Sequence, residues 1–239
     1  MEEKKEIQKI KDNTAERLTS AVRAVGFIKP KFDPQQQGFL PPQLEVIGTA
    51  FLLKDKQVII TCDHVVRQFA NLPVELAGIL VIGQKANYRP VSIDCVDYAH
   101  DLAILRFKKL TQETDEQFNQ FLQNEFGSGL ELSTEYSEVS EKVAYTGFPL
   151  GNQLLTQLHE PTYFEGVVGI KVRDSGIRKE VQISGSVIGG FSGSPIINKD
   201  TQKVVAMVSN SPSPEAGSAG IFMGVSWQHI KAISDLAKS

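Results

Sequence analysis

A chain of 239 residues with 25 lysines and arginines against 28 aspartates and glutamates carries a formal charge of −3, so it has no basic excess for neutralising phosphates and nucleic-acid binding is disfavoured. Its 41% share of hydrophobic residues supports a sizeable core and excludes bulk disorder. No stretch approaches the run of about eighteen apolar residues that a membrane helix needs, and Met1-Glu2-Glu3-Lys4-Lys5-Glu6 mixes charges where a secretory signal has a basic tip and an apolar core, so a cytoplasmic protein without a membrane span is expected.

In chain order, Ile7, Ile10, Leu18, Val22 and Val25 recur at three- and four-residue intervals opposite Lys and Glu, and this spacing predicts an amphipathic helix within residues 1–30. Its apolar stripe either docks on the rest of the chain or offers a handle to a regulatory protein. Pro30 and Asp33-Pro34-Gln35-Gln36-Gln37-Gly38 then read as a loop. Strand-like runs follow at Glu45 to Leu53, Gln57 to Thr61, Gly78 to Ile82, Val91 to Val96 and Leu102 to Phe107, giving a first β unit over about 40–108. Within it lie the two cysteines, Cys62 and Cys95, enough for one bridge at most and too few for a disulfide framework.

The polar stretch over 109–128, with Phe118, Phe121 and Leu122 at helical spacing, predicts a helical connector ending near Gly127. A second β unit over about 129–226 has runs at Lys142 to Thr146, Thr162 to Val172, Val181 to Val187, Pro195 to Asn198, Val204 to Ser209 and Ile221 to Val225. Residues 227–239 close the chain as a helix. The expected class is all-β: two β units joined by a connector in one domain over 31–239.

The chemistry concentrates in Gly189-Gly190-Phe191-Ser192-Gly193-Ser194-Pro195, which lies between two strand-like runs. Glycines on both sides of a serine permit a sharp turn, expose the hydroxyl and leave N–H groups to point into a cleft, as an oxyanion hole requires. Taken alone, the stretch reads more simply as a hairpin turn with an incidental serine. A serine hydroxyl needs a base, and the base needs an acid to orient it. Of four histidines, His64 stands at the end of the apolar run Val58-Ile59-Ile60-Thr61, whereas His100 shares a polar segment, His159 sits in a loop and His229 lies on the terminal helix. Asp101, at the mouth of Leu102-Ala103-Ile104-Leu105, is the leading acid; Asp63, Asp94 and Asp97 compete, Asp63 weakly because neighbours along an extended chain point to opposite sides.

Gly48-Thr49-Ala50-Phe51, Ile60-Thr61-Cys62-Asp63-His64-Val65, Asp101-Leu102-Ala103-Ile104-Leu105 and Gly190-Phe191-Ser192-Gly193-Ser194-Pro195 stand in an order and spacing that resemble the trypsin-like serine proteases. The resemblance covers nearly the whole chain after residue 20 and is closest to the compact bacterial Deg/HtrA-type branch, whose Gly-aromatic-Pro-x-Gly turn is matched by Gly147-Phe148-Pro149-Leu150-Gly151. It implies two six-stranded antiparallel β-barrels flanked by the N-terminal and C-terminal helices, with His64 and Asp101 from the first barrel and Ser192 from the second. It further implies a serine endopeptidase working through an acyl-enzyme, an oxyanion hole made by the Gly190 and Ser192 amides, and no metal or cofactor.

The departures are informative. Digestive members carry an aspartate just before the nucleophile to receive a newly cut N-terminus; Phe191 occupies that position, so zymogen activation of that kind is not expected. Ser194 replaces the second glycine of the motif, and no residues remain for a PDZ domain. Ser209, Asn210 and Ser211 match the edge strand that pairs with bound peptide, while Ser186 and Gly220 match the base and wall of the primary specificity pocket. None is charged, which predicts an apolar side chain before the scissile bond; filling of the pocket by Ser211 or the loop Pro212-Ser213-Pro214-Glu215-Ala216-Gly217-Ser218 would favour small residues instead. The competing functional reading is a peptide-binding module on the same fold, or a latent enzyme that a partner activates.

Overall fold

The computed structural model describes residues 13–33, 38–68, 79–82, 87–149, 160–174, 176, 178–210 and 220–237. Helix α1 covers 13–21 of this range. Strands β1 (Val22–Asp33), β2 (Gly38–Leu53) and β3 (Val58–Thr61) lead into a one-turn helix α2 (Asp63–Val66), followed by β4 (Ile79–Ile82), β5 (Asn87–Asp97) and β6 (Leu102–Phe107). After α3 (Asp115–Gly127) come β7 (Lys142–Gly147), β8 (Thr162–Asp174), β9 (Lys179–Ser184), β10 (Pro195–Asn198), β11 (Val204–Asn210), β12 (Ile221–Ser226) and the closing helix α4 (Trp227–Leu236).

The described strands close into two antiparallel barrels, ordered β1-β2-β3-β6-β5-β4 and β10-β11-β12-β9-β8-β7. Closure gives every described strand a neighbour on each side, which limits the exposed edges that are the main liability of an all-β chain. The first barrel depends on a strand that the sequence pattern conceals. Leu18, Val22 and Val25 fit helical spacing, yet the helix stops at residue 21 and Val22–Asp33 pairs with β2 on one side and β4 on the other. The helical expectation to residue 30 is therefore corrected: tertiary pairing overrides the local period. The first barrel starts at Val22 instead of near residue 40, and Pro30 lies inside a strand. The ladder slips there, with Lys29 opposite Gln43 but Lys31 opposite Leu40, because Pro30 has no N–H to donate and Pro41 and Pro42 lie in the skipped part of β2. The strand expected at Val181 to Val187 is shifted to Lys179–Ser184.

The described part of α1 buries its apolar face in the chain's own core: Leu18 and Ala21 are fully buried, and the Gln202 side chain donates to the Thr14 hydroxyl at 2.7 Å. Ile7 and Ile10 lie outside the described residues. On α3, Thr114 and Gln117 form a capping box that fixes its start, and Arg23 of β1 ties its C-terminal end through Glu125 at 2.7 Å.

Core packing crosses between the barrels, beside a separate cluster around Tyr145, Phe191 and Phe222 inside the second. One buried cluster contains Phe51, Ile60, Leu102 and Ile104 of the first barrel, Ala144, Met207 and Val225 of the second, and Ile230 and Ile233 of α4. Leu130–Ser133 stitches the two together: Leu130 exchanges backbone hydrogen bonds with Leu52 and Lys54, while Val204 N–H donates to Glu131 and Ser133 N–H donates to Val204. Cys62 and Cys95 are free thiols. Among the described residues no helix is long and apolar enough to cross a membrane.

Candidate active site

His64 comes three residues after Thr61, the last residue of β3, and sits on the one-turn helix α2 just beyond the strand end. Its ring is held firmly. Nδ1 lies 2.8 and 3.0 Å from the two carboxylate oxygens of Asp101, and the His64 backbone N–H donates to the same carboxylate at 2.9 Å. Since an ionised carboxylate only accepts, Nδ1 must carry the hydrogen and Nε2 is left with a lone pair. The histidine side chain is 42% exposed against 16% for the aspartate, so the carboxylate lies behind and the imidazole faces outward.

Asp101 takes a left-handed backbone conformation, φ +57°, which aspartate tolerates better than most residues. The preceding turn is fixed by Asp97, whose carboxylate accepts from the N–H groups of Ala99 and His100, and the Asp101 carbonyl accepts from Asp63 N–H at 3.2 Å. Burial works against ionisation of Asp101, but donors from the His64 ring, the Ser209 hydroxyl at 2.6 Å and the His64 backbone outweigh it and hold the carboxyl below its usual range. The competing acids are engaged elsewhere: Asp63 with Arg67, Asp94 with Arg106 at 2.8 Å and Asp97 with His100 at 2.6 Å.

Ser192 lies in a turn locked on both sides. Phe191 is buried in the second barrel, edge-on to Tyr145 at 5.8 Å and Phe164 at 5.2 Å, so an aromatic core contact anchors the turn. On the other side it presses against β2. Thr49 N–H donates to the Ser192 carbonyl at 2.9 Å, and the Thr49 hydroxyl donates to the Gly190 carbonyl at 2.8 Å while accepting from Phe148 N–H at 3.1 Å. Gly193 has φ +90°, and a Cβ there would lie 1.9 Å from the Thr49 carbonyl, so only glycine fits. The Val208 carbonyl accepts from both Gly193 N–H at 2.8 Å and the Cys62 thiol at 3.3 Å, bringing the serine turn against the segment that carries His64.

The amides of this turn divide into two sets. Phe191, Gly193 and Ser194 N–H groups go to Ile188, Val208 and Phe191 carbonyls. Among the described residues no protein acceptor is found for the N–H groups of Gly190 and Ser192. Because the Phe191 carbonyl faces Ser194 N–H, the planar trans peptide turns the Ser192 N–H the opposite way.

The residues expected on the substrate side fare unevenly. Ser209 is buried and gives its hydroxyl to Asp101, so its side chain supports the acid. Asn210 ends β11, whose Val208–Asn210 portion pairs with β12 but extends beyond the pairing with β10 that stops at Met207. Ser186 is exposed and its carbonyl accepts from the Tyr145 hydroxyl at 2.8 Å; Gly220, at φ +91°, accepts from Gly185 N–H at 2.9 Å. These contacts bring the ends of β9 and β12 together. Ser211 and the loop after it lie outside the described residues, as does His159. Thr49 was legible only as part of a motif; its clamp on the serine turn spans 141 positions.

Cys62, His64 and Asp101 present donor atoms within 4.8 Å of one another, a spacing compatible with a metal ion. The chemistry of the set suits hydrogen bonding better: burial and the adjacent Asp101 push the Cys62 thiol well above its ordinary pKa, so it stays protonated and donates to Val208.

A family model described as a trypsin-like peptidase domain matches residues 48–207. Among solved structures, the fold is similar to that of the HtrA-type protease AlgW with decapeptide, at a TM-score of 0.71 and 14% identity, covering 95% of this chain and 67% of that one. No curated protein matches the chain.

Proposed function

The chain belongs to the family of trypsin-like peptidase domains, and on that premise we propose that it is a serine endopeptidase with Ser192 as nucleophile, His64 as general base and Asp101 as orienting acid. The observation that carries this reading is the double contact of Asp101 with His64 Nδ1, at 2.8 and 3.0 Å, which leaves Nε2 as an acceptor at the outward face. Ser192 Oγ attacks the scissile carbonyl as His64 Nε2 takes its proton; the imidazolium then protonates the leaving amine, and water releases the acyl group by the reverse sequence. The uncommitted Gly190 and Ser192 N–H groups suit the oxyanion, a contribution of roughly 3–4 kcal/mol per donor in comparable sites.

The peptide would lie along β11 past Met207, adding to the free side of Ser209 and Asn210 by main-chain hydrogen bonds. That the similar HtrA-type structure is described with a decapeptide supports a peptide as the ligand. Ser186 and Gly220 bring no charge to the pocket, which favours an apolar residue before the cleaved bond. Labelling by a fluorophosphonate probe, together with cleavage of a diverse peptide library, tests the proposal. Both signals are expected from the wild type and neither from Ser192→Ala; a signal that persists in the variant overturns it.

A further inference from the structure

Behind the proposed acid the hydrogen-bond chain continues. Ser209 Oγ gives its hydrogen to Asp101 Oδ2 at 2.6 Å, and Arg178 Nη2 donates to the same Ser209 oxygen at 2.7 Å. The direction of this chain is forced by chemistry. A guanidinium has donors and no acceptor, and an ionised carboxylate has acceptors and no donor. Ser209 must therefore accept from Arg178 and donate to Asp101, and Asp101 must accept again from His64 Nδ1–H. With no arginine, the hydroxyl would be free to rotate toward other acceptors, and one oxygen of the acid would lose a fixed donor.

Arg178 is itself framed. Its Nε lies 2.9 Å from Glu180 Oε1, and both side chains are less than a quarter exposed. The next residue, Lys179, donates its backbone N–H to His229 Nε2 on α4 at 2.9 Å, and the His229 ring stacks on His100 at 3.7 Å. His100 directly precedes Asp101. A closed circuit thus runs from Asp101 through Ser209, Arg178, Lys179, His229 and His100 back to Asp101, joining the start of β9 and the C-terminal helix to the turn that carries the acid.

We propose that Arg178 is a positioning residue for the proposed triad, acting through Ser209 to set the orientation of Asp101 and, through it, the Nδ1–H tautomer of His64. This inference rests on the peptidase reading for its catalytic consequence, though not for its geometry. Removing Arg178 slows the chemical step, because the imidazole is aligned for a smaller fraction of the time. Ground-state binding of peptide is unchanged, because Arg178 reaches the reaction only through two other side chains.

The experiment compares Arg178→Met, Arg178→Lys, Ser209→Ala and the double variant Arg178→Met/Ser209→Ala by steady-state kinetics, thermal unfolding and proton NMR of the strongly deshielded His64 Nδ1–H. Arg178→Met is expected to lower kcat about tenfold with KM within about twofold, while Arg178→Lys, which can still donate to Ser209, recovers part of the loss. In the Ser209→Ala background the arginine change adds less than about twofold, since the relay is already broken. The Nδ1–H resonance moves upfield or broadens in Arg178→Met, with the unfolding midpoint close to that of the wild type. A wild-type kcat and an unmoved resonance in Arg178→Met overturn the proposal, as does a full tenfold loss in the Ser209→Ala background. If the wild type is catalytically inert but its resonance still shifts on Arg178→Met, the peptidase reading fails and the relay stands.

Discussion

The Thr49 hydroxyl donates to the Gly190 carbonyl at 2.8 Å, so a strand of the first barrel holds the peptide group that precedes the proposed nucleophile in the second. The same oxygen accepts from Phe148 N–H, and the Thr49 backbone N–H holds the Ser192 carbonyl. One residue therefore fixes the serine turn at two carbonyls and ties it to the start of the second barrel. Two barrels that each fold around their own strands need such a clamp if groups divided between them are to stay aligned within a fraction of an ångström.

Replacing Thr49 by Val keeps the shape and removes the hydroxyl. Phe148 N–H and the Gly190 carbonyl then lose their partner in a buried setting, at a cost of about 1–3 kcal/mol. The expected outcome is a lower unfolding midpoint and a fall in kcat larger than the change in KM, because the Gly190 peptide adjoins one proposed oxyanion donor. Thr49→Ser, which retains the hydroxyl, should recover most of both. Peptide hydrolysis and denaturant titration of the two variants check this.

Gly193→Ala tests the close approach of the turn to β2. The added methyl would stand 1.9 Å from the Thr49 carbonyl and 2.6 Å from the Thr61 hydroxyl, at a φ of +90° that alanine rarely adopts. Neither atom can retreat, since the Thr61 hydroxyl is itself bonded to the Thr49 carbonyl at 2.7 Å. Strain and overpacking together predict a destabilisation of at least about 2–3 kcal/mol and loss of fluorophosphonate labelling. Circular dichroism melts alongside the labelling assay distinguish local distortion from global unfolding.

Phe191 makes the serine turn part of the second barrel's core. It is buried between Tyr145 and Phe164 in edge-on contacts, and truncation to Ala should cost about 3–5 kcal/mol. Because the residue adjoins Ser192, activity is expected to fall more steeply than stability when the variant is assayed well below its melting temperature. Phe191→Leu, which refills most of the volume, should restore the larger share of stability. Urea unfolding and peptide cleavage at one fixed temperature decide the matter.

The proposed catalytic groups were legible because each sits in a short local pattern: His64 after an apolar run, Asp101 before one, Ser192 between glycines. Their supports were not. Thr49 reaches Gly190 across 141 positions, and Arg178 reaches Ser209 from the residue just before β9; nothing in either residue's neighbours announces the contact. Strand β1 was hidden for a related reason. Leu18, Val22 and Val25 satisfy a helical period, and only the need of β2 and β4 for a shared neighbour makes Val22–Asp33 extended. Local periodicity identifies which residues are apolar, while barrel closure decides how the chain runs through them.

His229 supplies a pH signature of the joint between α4 and the start of β9. Burial first, then the neighbouring His100, lowers its pKa from 6.5 to about 4, with Lys179 and Arg178 adding to the effect and Asp97 opposing it. A histidine held neutral in the folded state takes up its proton more readily when unfolded. Between these two values the unfolded chain binds more protons, so stability rises with pH across that window. The contribution is complete above about pH 6.5 and disappears as the pH falls through about 4. Carboxylates held low in the native state, Asp101 and Glu165 among them, add their own loss at more acidic pH. The interval from about pH 5 to 6.5 lies above those carboxylate losses, and the difference within it between the wild type and a His229 variant reports on His229. Unfolding midpoints across that interval should rise with pH more steeply for the wild type than for His229→Gln, whose side-chain oxygen can still accept from Lys179 N–H. Equal slopes for the two proteins would show that the proton is taken up elsewhere.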